Sequence, residues 1–204
     1  MEEPYKVDEP KEEIELNLEN KLSDQKYWEN ELANHAQCSL QPSTVSDRKS
    51  MCKDEILLYL RRDLFEQLNL LKFKYNLSTN SILLAIWSIT MSHYSNNLCI
   101  SLGTLRGFLL KTGNSSNPPI GIFINSLPIL CKIDPVESTN KYLIRIREQL
   151  LELKKHTSTS LEQIKNHGNI PANRTLFDVG VDYKPFSFEN ILHSEFPSIS
   201  FEVK

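Results

Sequence analysis

The sequence predicts an α/β fold, a mixed-sheet two-layer sandwich, and three observations carry that prediction. Apolar runs of strand length alternate with stretches of helical period in the order strand, helix, helix, strand, strand, helix, strand, strand. One of the helical stretches, residues 139–156, sets Leu143, Ile146, Leu150 and Leu153 at spacings of three, four and three, with Arg145, Arg147, Glu148 and Lys154 on its other faces. The composition, 40% hydrophobic and 24% charged over 204 residues, is enough to bury a sizeable core.

The elements follow in chain order. Eight of the first twenty residues are Glu or Asp and the apolar ones keep no period, so residues 1–22 are expected to be an acidic, flexible segment. Ser23 or Asp24 then caps a helix that places Tyr27, Trp28 and Leu32 on one face. KDEILLYL (residues 53–60) reads as a strand buried on both faces. Asp63 is a cap for a helix with Leu64, Leu68, Leu71 and Tyr75 in one stripe, and Ser78 for a central helix in which Ile82 to Trp87 leave almost no polar side.

NLCISLGT predicts a strand that stops at Gly103, and GNSSNPP (residues 113–119) an exposed loop. IGIFINSLPIL (residues 120–130) is a strand run punctuated by Gly, Phe, Asn and Pro. After the amphipathic helix comes a short helix ending at Gly168 as its C-cap, then two strand-like stretches, TLFDVGVDYKP and SISFEVK. The second stops at Lys204 with nothing to close it, so the domain is expected to be truncated there.

Several function classes fall away on composition. The formal net charge is −3 and the basic residues are scattered, so no nucleic-acid surface is expected. The acidic start is unlike a secretory signal, and SILLAIWSITM is short of the roughly 20 apolar residues that span a bilayer, which points to a cytoplasmic chain without a membrane partner. Cys38, Cys52, Cys99 and Cys131 form no CxxC pair and are expected to be free thiols. No metal ligand set is expected. None of the five histidines has a His or Asp neighbour at a catalytic spacing; His93 and His156 read as cations at helix C-termini. Asp178 and Asp182 share one side of a strand, where a solvated face is the simpler reading than a carboxylate pair. GxSxG, P-loop, GxGxxG and HExxH motifs are absent.

Five segments, DQKYWENELA, LSTNSILLAIWSITMSHYSNN, ISLGTLRG, IGIFINSLPIL and LFDVGVDYKP, stand in one order over residues 24–185. Together they resemble the condensation domains of nonribosomal peptide synthetases, and specifically the second of the two chloramphenicol acetyltransferase-like halves of such a domain. That resemblance implies a V-shaped pair of halves around a tunnel, with donor and acceptor delivered on the phosphopantetheine of carrier proteins and no cofactor held by the domain itself.

Within the resemblance, Tyr27 and Trp28 match the aromatic pair that opens the passage between halves. Gly103, Thr104 and Leu105-Arg106-Gly107 match a "GTP..GR" segment, with Leu105 in place of Pro and Phe108 in place of the last Arg. Gly121, Phe123, Asn125 and Pro128 match "G.F.NtLP", which implies that Asn125, Phe123, Gly121 and Gly103 line the substrate tunnel. Ser160 replaces a Pro before the short helix, and Phe177-Asp178 match an "lFd" strand.

The family's catalytic HHxxxDG belongs a few tens of residues ahead of the Tyr-Trp pair, and no His occurs among the 26 residues before Tyr27. No catalytic residue is therefore assigned, and the chain is expected to be a fragment inactive alone, completed if at all by a separate chain carrying HHxxxDG. The alternatives are a carrier-protein or synthetase docking module without chemistry and an acyltransferase of the same superfamily. An uncovered half should also expose an apolar patch.

Overall fold

The structure, a computed structural model, describes residues 11–33, 55–107 and 124–184, with the side chains of 11–20 left aside. Its helices are α1 (Lys11–Leu32), α2 (Arg62–Tyr75), α3 (Thr79–Ser95), α4 (Thr139–Leu153) and α5 (Leu161–His167). Its strands are β1 (Cys99–Gly107), β2 (Ile124–Lys132) and β3 (Val179–Val181), and a 3-10 turn, Lys154–His156, links α4 to α5.

The strands form one sheet in the order β2-β1-β3, with β1 antiparallel to β2 and parallel to β3. This is the mixed sheet of the predicted α/β fold. In the β1–β2 register Leu102 faces Ile129, Thr104 faces Leu127 and Arg106 faces Asn125, so these six share one face of the sheet. Ile100, Leu102, Leu127 and Ile129 join Ile82, Leu84 and Ala85 of α3 and Leu143, Ile146, Leu150 and Leu153 of α4 in one buried cluster. The stripe read from the α4 sequence is thus the face it buries. A polar knot sits inside this core: the Ser88 and Tyr142 hydroxyls lie 2.6 Å apart, and Ser88 donates to the Ala85 carbonyl.

α4 also closes the outer edge of β2. Gln149 Nε2 donates to the Leu130 carbonyl at 3.2 Å, and Arg145 Nη2 donates to the Lys132 carbonyl at 2.6 Å while its ion pair with Glu137 holds it in place. Pro128 has the same parity along β2 as Leu130 and Lys132. Its missing N–H therefore lies on the outward side, where no β1 carbonyl needs it.

Several expectations are corrected. β1 runs through Gly103 to Gly107 because the glycine is needed in mid-strand, where the Phe177 ring packs on it. Helix α1 is continuous from Lys11, twelve residues before the cap expected at Ser23. Residues 55–60 form no strand, and Ile56 to Leu60 are all exposed. An apolar run becomes a strand only where a neighbour supplies its hydrogen bonds, and none of the described strands pairs with it.

α2 is capped by Arg61 and not by Asp63, which pairs with Arg61 instead, and it buries no residue completely. Only Leu68, Leu71 and Tyr75 of its stripe pack on the core. α3 starts at the Ser78 cap as expected, but Ile86 and Trp87 are half-exposed, so the helix is covered on one side only. Cys99 is disulfide-bonded, against the expectation of free thiols, while Cys131 is free and buried. Proximity in the fold decides which thiols meet, and sequence spacing does not display it. SISFEVK, GNSSNPP, Cys38 and Cys52 lie outside the described residues.

Candidate functional site

Of the four residues predicted to line a tunnel, Gly121 and Phe123 lie outside the described residues. Gly103 and Asn125 are both on the β1–β2 ladder, three register positions apart, and the sheet turns them to opposite faces.

Gly103 lines a cavity of about 210 Å³ together with Leu105, Ser126, Phe177, Gly180 and Asp182. Phe177 sets its wall. A Cβ on Gly103 would stand 2.5 Å from Phe177 Cδ2 and 2.8 Å from Cζ, so only glycine lets the ring lie flat on the strand. Asp182 is the one titratable group among the residues that line this cavity, and it faces Lys184 at 3.5 Å. Asp178 takes a hydrogen bond from Thr175 instead, so the two aspartates do not act as a carboxylate pair.

Asn125 is not on that wall. Its Nδ2 donates to two backbone carbonyls, Thr157 at 3.1 Å and Thr159 at 2.7 Å. Both amide hydrogens are therefore used, and the capacity left to the side chain is its Oδ1 acceptor. The turn it holds leads into α5, where Ser160 and Gln163 form a reciprocal capping box. Gly168 ends that helix as predicted, and a Cβ there would strike Leu32 of α1, which brings the two helices together.

A second cluster was not visible from sequence. His156 Nδ1 is hydrogen-bonded to Asp24 Oδ1, and Nε2 lies 3.7 Å from Glu152 Oε1. The imidazole stacks on the Tyr27 ring, 4.0 Å between centroids and 13° from parallel, and Tyr27 meets Trp28 edge-on at 4.9 Å. His156 does close the α4 segment as expected, but it is buried and bound to a carboxylate 132 positions away. No local spacing carries that signal; the amphipathic faces of α1 and α4 could only hint that the two helices meet.

Burial pushes the Tyr27 phenol well above its usual value, and the charges of Glu31 and Glu152 push the same way. Glu31 is itself raised by burial, with Lys132 opposing. The cluster is a carboxylate-oriented imidazole, but Nε2 faces Glu152 and not the cavity, so it anchors the turn after α4 to α1 and holds no reacting group.

Among the described residues no group of three or more His, Cys, Asp or Glu could hold a metal ion, and no helix is long and apolar enough to cross a membrane.

Comparisons with known proteins agree with this architecture. A family model described as Condensation domain matches residues 7–202. The chain is 24% identical over 129 residues to a linear gramicidin synthase of Brevibacillus parabrevis, covering 61% of this chain and 2% of that protein. It is 21% identical over 141 residues to bacitracin synthase 3 of Bacillus licheniformis, covering 68% of this chain and again 2% of the relative. The chain thus spans a very small part of the curated relatives it matches.

Among solved structures it is similar to a four-domain nonribosomal peptide synthetase bound to AMP and glycine, with a TM-score of 0.68 at 16% identity over 87% of this chain and 14% of the other. It is also similar to the X-domain from teicoplanin biosynthesis, with a TM-score of 0.62 at 17% identity over 78% of this chain and 36% of that one. At these identities the likeness establishes the fold.

Proposed function

This chain belongs to the condensation-domain family of nonribosomal peptide synthetases, and on that premise we propose that it supplies the second half of such a domain. The observation that carries the reading is the family match over residues 7–202 in a sequence with no HHxxxDG segment. Coverage supports it, since most of this chain corresponds to 36% of the X-domain chain. The exposed apolar residues Ile56 to Leu60 and Phe73 support it too, because they form the kind of surface a missing neighbour would cover.

In this reading an acceptor amine attacks a thioester carbonyl, both tethered through phosphopantetheine to carrier proteins, and an amide forms as the thiol leaves. The proton taken from the amine needs a group within hydrogen-bond reach. That group is a histidine of an HHxxxDG half outside these 204 residues, and this chain alone has no condensation activity. Its own contribution is a wall of the passage. Gly103 lines it, with Phe177 packed on Gly103 to shape the cavity; the family resemblance adds Asn125, on the opposite face of the sheet, together with Gly121 and Phe123, which lie outside the described residues.

The test is reconstitution. The full chain is mixed with a separately produced half bearing HHxxxDG and with aminoacyl-loaded carrier proteins, and amide product is followed by mass spectrometry. Product that requires both halves supports the reading. A stable pair of halves that makes no amide while retaining the loaded carrier proteins replaces it with the docking reading. That second reading is favoured by a cavity lining that includes no histidine or cysteine among the described residues.

A further inference from the structure

The charged side chain that faces Asn125 across the ladder has no role in the arrangement above. Arg106 stands opposite Asn125 in register, so the two side chains leave the same face with Cβ atoms about 5 Å apart. Its Nε is fully buried with no hydrogen-bond partner, and no ion pair reaches the guanidinium among the described residues. Burial holds its pKa below the usual arginine value, with no carboxylate to oppose the effect.

Two hydroxyls near it are in the same state. Thr104 is two residues along β1 on the same face, about 7 Å away at the Cα, and is only 2% exposed, yet its Oγ1 has no partner. Thr159, 5% exposed, belongs to the turn whose carbonyl Asn125 holds at 2.7 Å, and its Oγ1 is also unpartnered. The large majority of buried side-chain donors in folded proteins are satisfied, and the Arg106 guanidinium, half-buried and without a counter-charge, is costlier to leave unpaired than a neutral donor. Three unpartnered donors thus belong to residues tied to one asparagine: its ladder partner Arg106, the strand neighbour Thr104, and Thr159, whose carbonyl it holds.

We propose that Arg106, with the Thr104 and Thr159 hydroxyls, forms a binding site for an oxyanion, the carboxylate or phosphate group of a ligand. The planar guanidinium presents paired N–H donors that match two oxygens of either group, and it gives up water more readily than an ammonium does. The half-buried side chain leaves an approach for the ligand, and the two buried, unpartnered hydroxyls are available as further donors. The site does not depend on the condensation reading, because the sheet and the Asn125 turn create it whatever reaction the assembled protein performs.

The test uses the full chain, labelled with ¹⁵N, and follows the Arg106 Nε–Hε resonance while sodium acetate, inorganic phosphate or sodium chloride is added at matched ionic strength. The expected result is a saturable shift with acetate, phosphate or both, at an affinity at least about tenfold above that for chloride. Saturation by acetate alone identifies a carboxylate site, and saturation by phosphate alone a phosphate site. Arg106→Lys, which keeps the charge and loses the fork, should weaken binding about tenfold, followed by the same perturbation at the Asn125 side-chain amide.

Thr104→Val, nearly isosteric, should weaken it about fivefold without unfolding the strand. Equal, unsaturated shifts with all three salts would overturn the proposal. So would unchanged affinity in either variant, and Thr104→Val still decides the matter if Arg106→Lys does not fold.

Discussion

Gly103→Ala isolates the contact between β1 and the Phe177 ring. The new Cβ would stand 2.5 Å from Cδ2 and 2.8 Å from Cζ, and nearer still to Cε2, where carbon atoms at rest keep roughly 3.5–4.0 Å. The ring must retreat by about 1 Å or more from a strand whose other face is buried. Overpacking of this kind costs about 1–3 kcal/mol.

A second effect opposes it. Gly103 has no positive φ, so alanine fits its backbone and removes freedom from the unfolded chain, a gain of about 0.4–1 kcal/mol. The steric cost wins, and the net loss should be about 1–2 kcal/mol in equilibrium urea unfolding. The decisive measurement is the cycle with Phe177→Ala, which opens the space the methyl would enter. There Gly103→Ala should be neutral or slightly stabilising, giving a coupling of about 1–3 kcal/mol between the positions. A Gly103→Ala loss of the same size in both backgrounds would show that the ring is not what the glycine accommodates.

Two other expectations rest on single groups. Asn125→Ala removes donors from the Thr157 and Thr159 carbonyls and should cost about 1–3 kcal/mol at roughly 0.5–1.5 per bond, with faster amide exchange at 157–160. Exchange unchanged there would mean that the turn holds itself. Burial pushes the Cys131 thiol from 9.0 up to about 12. A raised pKa means the folded state keeps a proton the unfolded chain has lost, so stability should be constant up to about pH 9 and fall toward pH 12, by at most about 1.4 kcal/mol per pH unit for this one proton. Tyr27 and Tyr142, also raised by burial, steepen the loss above pH 10. Cys131→Ala should flatten the segment between pH 9 and 10, and an unaltered urea midpoint profile would remove the thiol from the account.

What can be read in advance is what a short window contains. The α4 stripe, the Ser78 and Ser160 helix starts and the Gly168 stop are local, because helical period and capping are decided within a few residues. Residues 56–60 have the composition of a strand and still form none, since pairing belongs to two segments and not to one. Gly103 reads as a strand end because glycine usually punctuates; its reason is a ring 74 positions later. The Asp24–His156 bond, the disulfide at Cys99 and the unpartnered donors of Thr104, Arg106 and Thr159 have the same character. Resemblance supplies Gly103 and Asn125 as positions of interest, but not that Asn125 has its donors committed to backbone.

The covering of β2 by Gln149 and Arg145 gives the sheet a direction of growth. With the Leu130 and Lys132 carbonyls already occupied, a strand approaching on that flank would have to evict α4 before it could bond. On the opposite flank the described sheet ends in three-residue β3. The open flank of the described sheet is therefore that of β3, whose Gly180 and Val181 line the Gly103 cavity together with Asp182. A strand paired there would sit beside residues that already shape the cavity.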